Sequence, residues 1–439
     1  MTRGQTRGQT RGLTRGRPRG LTRGIMRIVL RSLRQHALST AITVLSVALA
    51  SGLVMAVFAI KRQSYEAFTG GPVGFDAVLG ARGSQLQLVL NTVFHLETSP
   101  GNIPFASYTA IAADPGVALA VPYAVGDNFH GYRVVGTTDE LFTKFEYRAG
   151  HKLDVAPGGR IFTAQERGAV VGSVVARQVG VKVGDHIRPY HGLQFDEAQQ
   201  HDDDYEVVGI LEPSNSPSDR VVWIPILGIY RMSGHVLRGT GRTFRPHPDS
   251  LIPEEHREVS AVMLKLTDPT AGIYLDQAIN RQGKSATLAW PIGRVMADLF
   301  GKIGWVNEVL ALVAYLVVVV AAGSILASIY NTMNERRREF AILRSLGARR
   351  GTVFSAIVLE STTITVLGVL VGYVVYAAIL GAAFVAVRAQ TGVVLDAWRY
   401  DPALLLTPMG MCVLGALAGL VPAFKAYRTD VASNLMPNS

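Results

Sequence analysis

Four long apolar runs without a charged residue are the feature that most limits what this chain can fold into. They cover residues 37–60, 309–334, 361–387 and 403–424, and each is at least 22 residues long. About 20 predominantly apolar residues are enough for a helix to cross the hydrocarbon core of a bilayer. One such run could be the buried helix of a soluble protein, but four of them predict a membrane protein with four transmembrane α-helices.

The charged residues support this prediction by their number and their position. Only 17% of the residues are charged, below the roughly 25% usual for soluble domains, and the net charge is +10. Arginines and lysines cluster beside the apolar runs, whereas a nucleic-acid-binding protein gathers them on one folded face. We therefore expect membrane lipids and no nucleic acid as partners. Cys412 is the single cysteine, so no disulfide can form within the chain.

The distribution of basic residues predicts the orientation of the spans. Arginine and lysine are abundant before the first run, in the 335–360 loop and in the 425–439 tail, whereas the 388–402 loop balances them with aspartates. Because basic loops stay on the cytoplasmic side, both termini should be cytoplasmic and residues 61–308 extracytoplasmic.

The start of the chain has an unusual composition. Residues 1–25 contain a Thr-Arg-Gly repeat with almost nothing apolar to bury, which predicts disorder; the alternative is a mis-annotated start, with translation beginning at Met26. Within 26–60 the arginines then recur at helical spacing beside an apolar stripe of Met26, Leu30 and Leu33. That pattern predicts an interfacial amphipathic helix before the first span.

The 61–308 region is predicted to be a mixed α/β domain inserted between spans 1 and 2. Short β-rich runs bounded by Gly, Pro and Asp occur at 117–125, 131–136, 169–172, 205–211, 221–226 and 258–266. Helical patterns lie at 107–113 and 173–179, and polar loops at 194–204 and 233–253. Residues 291–308 show helical periodicity and should extend the second span outward as a stalk.

The 335–360 loop contains a predicted short helix at 339–346 that ends at Gly347. Phe340, Leu343 and Leu346 are spaced to form one apolar ridge, which a groove in a partner protein could bury. The alternative is that the arginines only hold the topology while the apolar side chains touch lipid headgroups.

The same loop reads NERRREFAILRSLGAR at 334–349, and this resembles the cytoplasmic signature of FtsX/MacB-like permeases of ABC transporters. By this resemblance the loop couples the membrane subunit to an ATPase. The residues assigned to that role are Glu335, Arg336, Arg337, Arg338, Glu339, Phe340, Leu343, Arg344, Leu346 and Gly347.

A second stretch of motifs in the 61–308 region resembles that family's extracytoplasmic core domain. The matching positions are Gly136, Thr137, Phe142, Gly150, Gly172, Gly184, Asp185, Gly209 and Pro225. His151 departs from the pattern, since the family usually has arginine after that glycine.

The resemblance implies a function and partners. Such permeases pair with a separate ABC ATP-binding subunit and with a second permease copy or paralogue in the bacterial inner membrane, and a periplasmic adaptor or lipoprotein can join them. They export or extract peptides, drugs or lipoproteins by mechanotransmission. An alternative in another class is a signalling or scaffold subunit that activates a periplasmic enzyme without transport.

Catalytic chemistry is not expected in the chain itself. No G-x-x-x-x-G-K-[ST] phosphate loop and no hydrolase motif occurs, so ATP hydrolysis is assigned to the partner and no cofactor is expected. His186, His191, His201 and residues 202–204 could bind a metal. Because they lack close ligand pairs in sequence, a solvated loop is the favoured interpretation and no metal site is predicted.

Overall fold

The computed structural model describes residues 19–69, 74–192, 200–239, 241–246, 251–391 and 400–428. These residues form two compact units. The first contains residues 19–58, 310–379 and 400–428, and the second contains the described parts of 59–309 and 380–391.

The described strands lie between Ala77 and Ala289, and the longest helices lie before and after them in the chain. The helices are α1 (Arg19–Gln35), α2 (Ala37–Thr69), α3 (Gln85–Thr92), α4 (Phe105–Ala112), α5 (Glu140–Thr143), α6 (Ser173–Val175), α7 (Ile226–Arg231), α8 (Pro269–Asp276), α9 (Ile292–Lys302), α10 (Gly304–Glu335), α11 (Arg337–Ser345), α12 (Arg350–Thr391) and α13 (Ala403–Arg428). The strands are β1 (Ala77–Ala81), β2 (Ile103–Pro104), β3 (Val117–Phe129), β4 (Tyr132–Thr137), β5 (Gly168–Val171), β6 (His186–Ile187), β7 (Tyr190–His191), β8 (Tyr205–Ile210), β9 (Val221–Pro225), β10 (Glu258–Val259), β11 (Ala261–Leu266) and β12 (Ala286–Ala289).

Four of the described helices are long and apolar enough to cross a membrane, which confirms the four predicted spans. They are α2, α10, α12 and α13, and they contain the four uncharged runs. Most of the apolar surface of α10, α12 and α13 is not buried within the chain, as expected for side chains that face lipid.

The helices of the first unit pack closely through small residues. A Cβ atom on Gly372 would lie 2.1 Å from Ser51 Oγ, and one on Gly419 would lie 2.1 Å from Ser361 Oγ. Without a hydrophobic driving force in lipid, such close backbone approach is a main source of helix association.

Helix α1 differs from its prediction in length and in the face that it buries. It begins at Arg19 rather than at Met26, so seven residues of the tract assigned to disorder are helical. Val29, Ser32 and Leu33 are buried in the first unit, whereas Met26 and Leu30 are 42% and 50% exposed. The predicted stripe therefore covers only part of the packed face, because the position of the neighbouring helices decides which side is buried.

The second unit is built on a mixed sheet in the order β12-β1-β11-β3-β4-β9-β5-β8-β6, with β7 added beside β3. Most neighbours are antiparallel, and β4–β9 and β5–β8 are parallel. Alternate side chains of each strand face opposite sides: Val222 and Ile224 join one apolar core and Val221 and Trp223 the other. Helices cover both faces, so the predicted α/β domain is confirmed.

His95 is a half-buried titratable group beside this core, and its Nδ1 atom is buried. Its ring meets Trp223 edge to face with centroids 5.9 Å apart. Burial, together with the charges of Arg133 and Arg220, lowers the pKa of His95 to about 3. The ring is therefore neutral in the folded domain at physiological pH.

The predicted stalk at 291–308 is two helices rather than one. Helix α9 ends at Lys302 and α10 begins at Gly304, with Ile303 between them. Val295 and Met296 of α9 are buried in the core of the second unit. Glycines on both sides of Ile303 lower helix propensity at this point, which accounts for the break.

Candidate functional site

The predicted 335–360 loop is shorter in the structure, because α12 already begins at Arg350 and includes Glu360. The part before α12 contains helix α11, which is bounded at both ends by non-helical backbone. It follows Arg336, whose φ and ψ are −99° and 10°, and it ends before Gly347, whose φ is +96°. Gly347 N–H donates to Arg344 O and Ala348 N–H donates to Leu343 O, so two terminal carbonyls are satisfied. The predicted stop at Gly347 is confirmed.

Arg336 holds the start of this helix in place. Its side chain is buried, and Nε lies 2.9 Å from Glu339 Oε2 while Nη1 lies 3.8 Å from Glu360 Oε2. The guanidinium also lies over the Phe340 ring, 5.1 Å from its centroid. Ser32 of α1 donates a 2.6 Å hydrogen bond to the other oxygen of Glu360. One carboxylate thus connects α1, α12 and the loop.

The predicted apolar ridge of α11 does not form as one exposed surface. Phe340 is buried in the core of the first unit and Leu343 is half-buried against it, whereas Leu346 is 80% exposed. Ile342, which was not among the predicted site residues, is 48% exposed. The exposed apolar surface is therefore Ile342 and Leu346, one helical turn apart, which we call the Ile342–Leu346 pair.

Exposed charged side chains lie close to this pair along the chain. They are Glu335, Arg337, Arg338 and Glu339 before the pair, and Arg349 and Arg350 after it. The surface is apolar at its centre and mainly basic at its edge, which suits a partner with an apolar groove and an acidic rim.

The predicted motif positions of the second unit do not converge on a single site. Thr137 and Pro225 are register partners at the parallel β4–β9 edge. A Cβ on Gly172 would lie 2.4 Å from Asp219 O, and one on Gly209 would lie 2.5 Å from Arg160 O. These glycines permit close backbone approach, so the structure gives them a role in packing.

The remaining motif positions also serve local structure. Gly136 lies against α7, where a Cβ would be 2.5 Å from Ile229 Cγ1, and Phe142 is buried. Gly150 and Gly184 have φ of +74° and +92°, and the Asp185 carboxylate accepts a hydrogen bond from Lys182 N–H. Positive φ favours glycine because it has no Cβ.

The expected solvated loop near residue 200 is wrong for two of its residues. Residues 193–199 lie outside the described residues, but His201 and Asp203 are each only 5% exposed. His186 does lie at the surface, 2.7 Å from Asp204.

His201 is one of three histidines that contact the fully buried carboxylate of Asp127. His191 and His235 are the others. Burial alone would raise the pKa of Asp127, but hydrogen bonds from these three rings outweigh burial and hold that pKa well below its ordinary value. Sequence reasoning missed Asp127 and His235 because they lie far from the histidine-rich segment along the chain.

Two families match the chain over complementary parts. The MacB-like periplasmic core domain matches residues 40–281, and the FtsX-like permease C-terminal domain matches residues 311–431. The first match alone covers more than half of the chain.

Two solved structures are similar to about half of the chain. The periplasmic region of MacB from Actinobacillus actinomycetemcomitans is 10% identical with a TM-score of 0.33, over 52% of this chain and 94% of that one. The extracellular domain of the noncanonic ABC-type transporter YknZ from Gram-positive bacteria is 16% identical with a TM-score of 0.28, over 48% of this chain and 99% of that one. With both family domains present in order, this multi-pass membrane protein belongs to the MacB/FtsX-type permease family of ABC transporters.

Proposed function

We propose that this chain is a permease subunit that couples ATP hydrolysis in a separate ATP-binding subunit to motion of its 61–308 domain. That motion would drive export or extraction of a peptide, a drug or a lipoprotein. In this proposal the termini and the 335–360 loop are cytoplasmic and the 61–308 domain is extracytoplasmic, in a bacterial inner membrane. A second permease copy or paralogue completes the assembly.

The single observation that carries the proposal is the exposed Ile342–Leu346 pair. Removing apolar side chains of an exposed loop helix from water lowers the free energy, so a partner that covers them is bound more tightly. Arg337 and Arg338 beside the pair would set the orientation of a partner with acidic groups at its rim. A groove in the ATP-binding subunit is the occupant that fits the family.

The buried contacts of Arg336 supply a route for transmitting force. Moving Arg336 away from Glu360 leaves a buried carboxylate without that counter-charge, which is unfavourable. A displacement of α11 is therefore passed on to α12 through Glu360, and to α1 through Ser32, rather than absorbed in the loop.

The experiment is purification of the tagged full chain from its native membrane in mild detergent. We expect a stoichiometric partner that carries a phosphate-binding loop, and ATP hydrolysis by the complex that is lost when the lysine of that loop is replaced. A complex that contains no such subunit, or hydrolysis that survives the lysine replacement, would refute the proposal. Cargo movement in proteoliposomes then separates transport from activation of an extracytoplasmic enzyme.

A further inference from the structure

Four side chains of the second unit converge on one point beside β3. Asp127 Oδ1 lies 2.8 Å from His191 Nδ1 and 3.2 Å from His201 Nε2, and Asp127 Oδ2 lies 3.4 Å from His235 Nε2. One nitrogen or oxygen atom from each of the four residues lies within 4.8 Å of all the others. We call these four residues the histidine cluster.

The fold brings the cluster together from four separate segments. A β-bulge at Gly126 shifts the register of β3 against β4 just before Asp127, and bulges of this kind re-aim the next side chain. His191 reaches Asp127 as its register partner in the β3–β7 pairing. His201 follows the segment after β7, and His235 follows α7.

Hydrogen bonds on the far side of two rings fix their tautomers. His201 Nδ1 lies 2.7 Å from Ser233 O, and His235 Nδ1 lies 2.7 Å from Ile229 O. Because a carbonyl oxygen only accepts, each Nδ1 must carry a proton, and in the neutral ring Nε2 then holds a lone pair. A backbone carbonyl bound to the second nitrogen is the usual partner of a metal-binding histidine.

The supporting residues are themselves held in place. The Asp203 carboxylate accepts a 2.6 Å hydrogen bond from Ser233 N–H and lies 3.1 Å from Arg167 Nη2. The Ser233 carbonyl that orients His201 is thus anchored by a nearly buried carboxylate.

The electrostatics of the cluster require a positive charge at its centre. The Nε2 lone pairs of neutral His201 and His235 would face the Asp127 carboxylate. Both the lone pairs and the carboxylate oxygens carry negative charge, and at about 3 Å in a buried site they repel each other strongly. His191 can donate from Nδ1 to Oδ1, whereas the buried Oδ2 lies 3.4 Å from His235 Nε2, which can donate to it only if that ring carries a second proton. Either additional protons or a metal cation must balance this arrangement.

We propose that Asp127, His191, His201 and His235 together bind one divalent transition-metal ion, with Zn²⁺ as the preferred ion. Three imidazole nitrogens and one carboxylate oxygen suit zinc, whose bonds to them are about 2.0–2.2 Å. The edge of a tetrahedron with such bonds is about 3.3–3.6 Å, and two of the three contacts to Asp127, at 3.2 and 3.4 Å, lie close to that range while the His191 contact is shorter, at 2.8 Å. The His191 side chain is 44% exposed and gives the ion a way in from solvent, while the other three ligands are nearly or fully buried.

The bound ion would join β3, β7 and the turn after α7 at one point. This inference is independent of the proposed coupling to an ATPase, since it concerns other residues and another unit of the chain. Each can fail without the other.

The test is metal binding by the purified full chain after treatment with a chelator. We expect about one Zn²⁺ per chain by elemental analysis, and Co²⁺ should give the intense visible absorption of tetrahedral coordination, which Zn²⁺ then displaces. A stripped wild-type chain that takes up neither ion would overturn the proposal and leave a cluster held by protons alone.

Variants locate the site. Two variants remove a ligand: His191→Ala, at the exposed edge of the cluster, and His235→Ala. Each should weaken Zn²⁺ binding by at least about 10–100-fold, which is the loss usually caused by removing a residue that only supports a metal ligand. His186→Ala is the matched control, because His186 pairs with Asp204 at the surface outside the cluster, and it should bind like the wild type. Equal binding by the control and both cluster variants would also overturn the proposal, while thermal melting of the metal-free proteins verifies that each variant is folded.

Discussion

The Ile342–Leu346 pair gives the sharpest test of the proposed docking of this permease on an ATP-binding subunit. We consider the double substitution Ile342→Asp with Leu346→Asp. Both side chains are largely exposed, at 48% and 80%, so the permease itself should insert and fold normally. What changes is the surface that the partner would cover.

The magnitude follows from these exposures. Full burial of a leucine or isoleucine side chain contributes about 2 kcal/mol. Scaled by the fraction of each side chain that remains exposed, the pair can contribute roughly 2.6 kcal/mol to docking. That free energy, which applies when the partner buries both side chains completely, corresponds to about an 80-fold change in Kd, and two aspartates in the same contact add a desolvation cost.

The assay is titration of the detergent-solubilised permease with its purified ATP-binding subunit, with Kd measured by fluorescence anisotropy. Leu251→Asp is the matched control, since Leu251 is 90% exposed but belongs to the second unit, and it should leave Kd unchanged. A double variant that binds within about threefold of the wild type would refute this docking surface, because the free energy lost would be under 1 kcal/mol.

Three further predictions concern stability. Gly172→Ala should lower the free energy of unfolding by about 1–3 kcal/mol, because the new Cβ would clash with the backbone of Asp219. Gly301→Ala has open space around it and should be neutral or slightly stabilising in the same thermal melt. Burial lowers the pKa of His95 to about 3. Between pH 6.5 and pH 3 the unfolded chain therefore binds a proton at this ring and the folded chain does not, so the folded state loses stability as the pH falls through this range. From pH 6.5 to 5 the wild type should lose about 2 kcal/mol more than His95→Gln in chemical denaturation followed by tryptophan fluorescence, and parallel profiles would contradict this. Glu360→Ala should lower the free energy of unfolding by about 1–3 kcal/mol, because Ser32 loses its acceptor and buried Arg336 keeps only Glu339 as a carboxylate partner. Adding Arg336→Leu should recover part of the loss, and equal losses in the single and double variants would contradict the contact between Arg336 and Glu360.

The spans and most strands could be predicted from the sequence because their physical requirements are local. A bilayer demands a long uncharged run, and a two-sided sheet demands β-branched runs such as the one in β9. The stop of α11 was equally local, since Gly347 can adopt a positive φ without strain.

The buried face of α11 could not be predicted because it depends on neighbours. Periodicity identified an apolar ridge but not which side of it the bundle would cover, so Phe340 was assigned to the exposed surface and Ile342 was omitted. The same limit applies to α1, where the packed face is turned towards Val29 and Ser32.

The histidine cluster was missed for a different reason. Its members come from β3, β7 and two turns, and only the β3–β7 register and the bulge at Gly126 place them together. No spacing rule applied to residues 186–204 contains that information. The one signal in the sequence was the concentration of histidines itself.

The carboxylate of Glu360 makes α1 and the 335–360 loop thermodynamically linked. Ser32 can keep its acceptor, and Arg336 its contact with Glu360, only while both elements remain docked on α12. Linkage is reciprocal, so a partner that binds the loop more tightly in one position must change the equilibrium between docked and undocked α1 by the same factor. In the proposed complex, anionic lipids that bind the arginines of undocked α1 would then help set the affinity of the chain for an ATP-binding subunit.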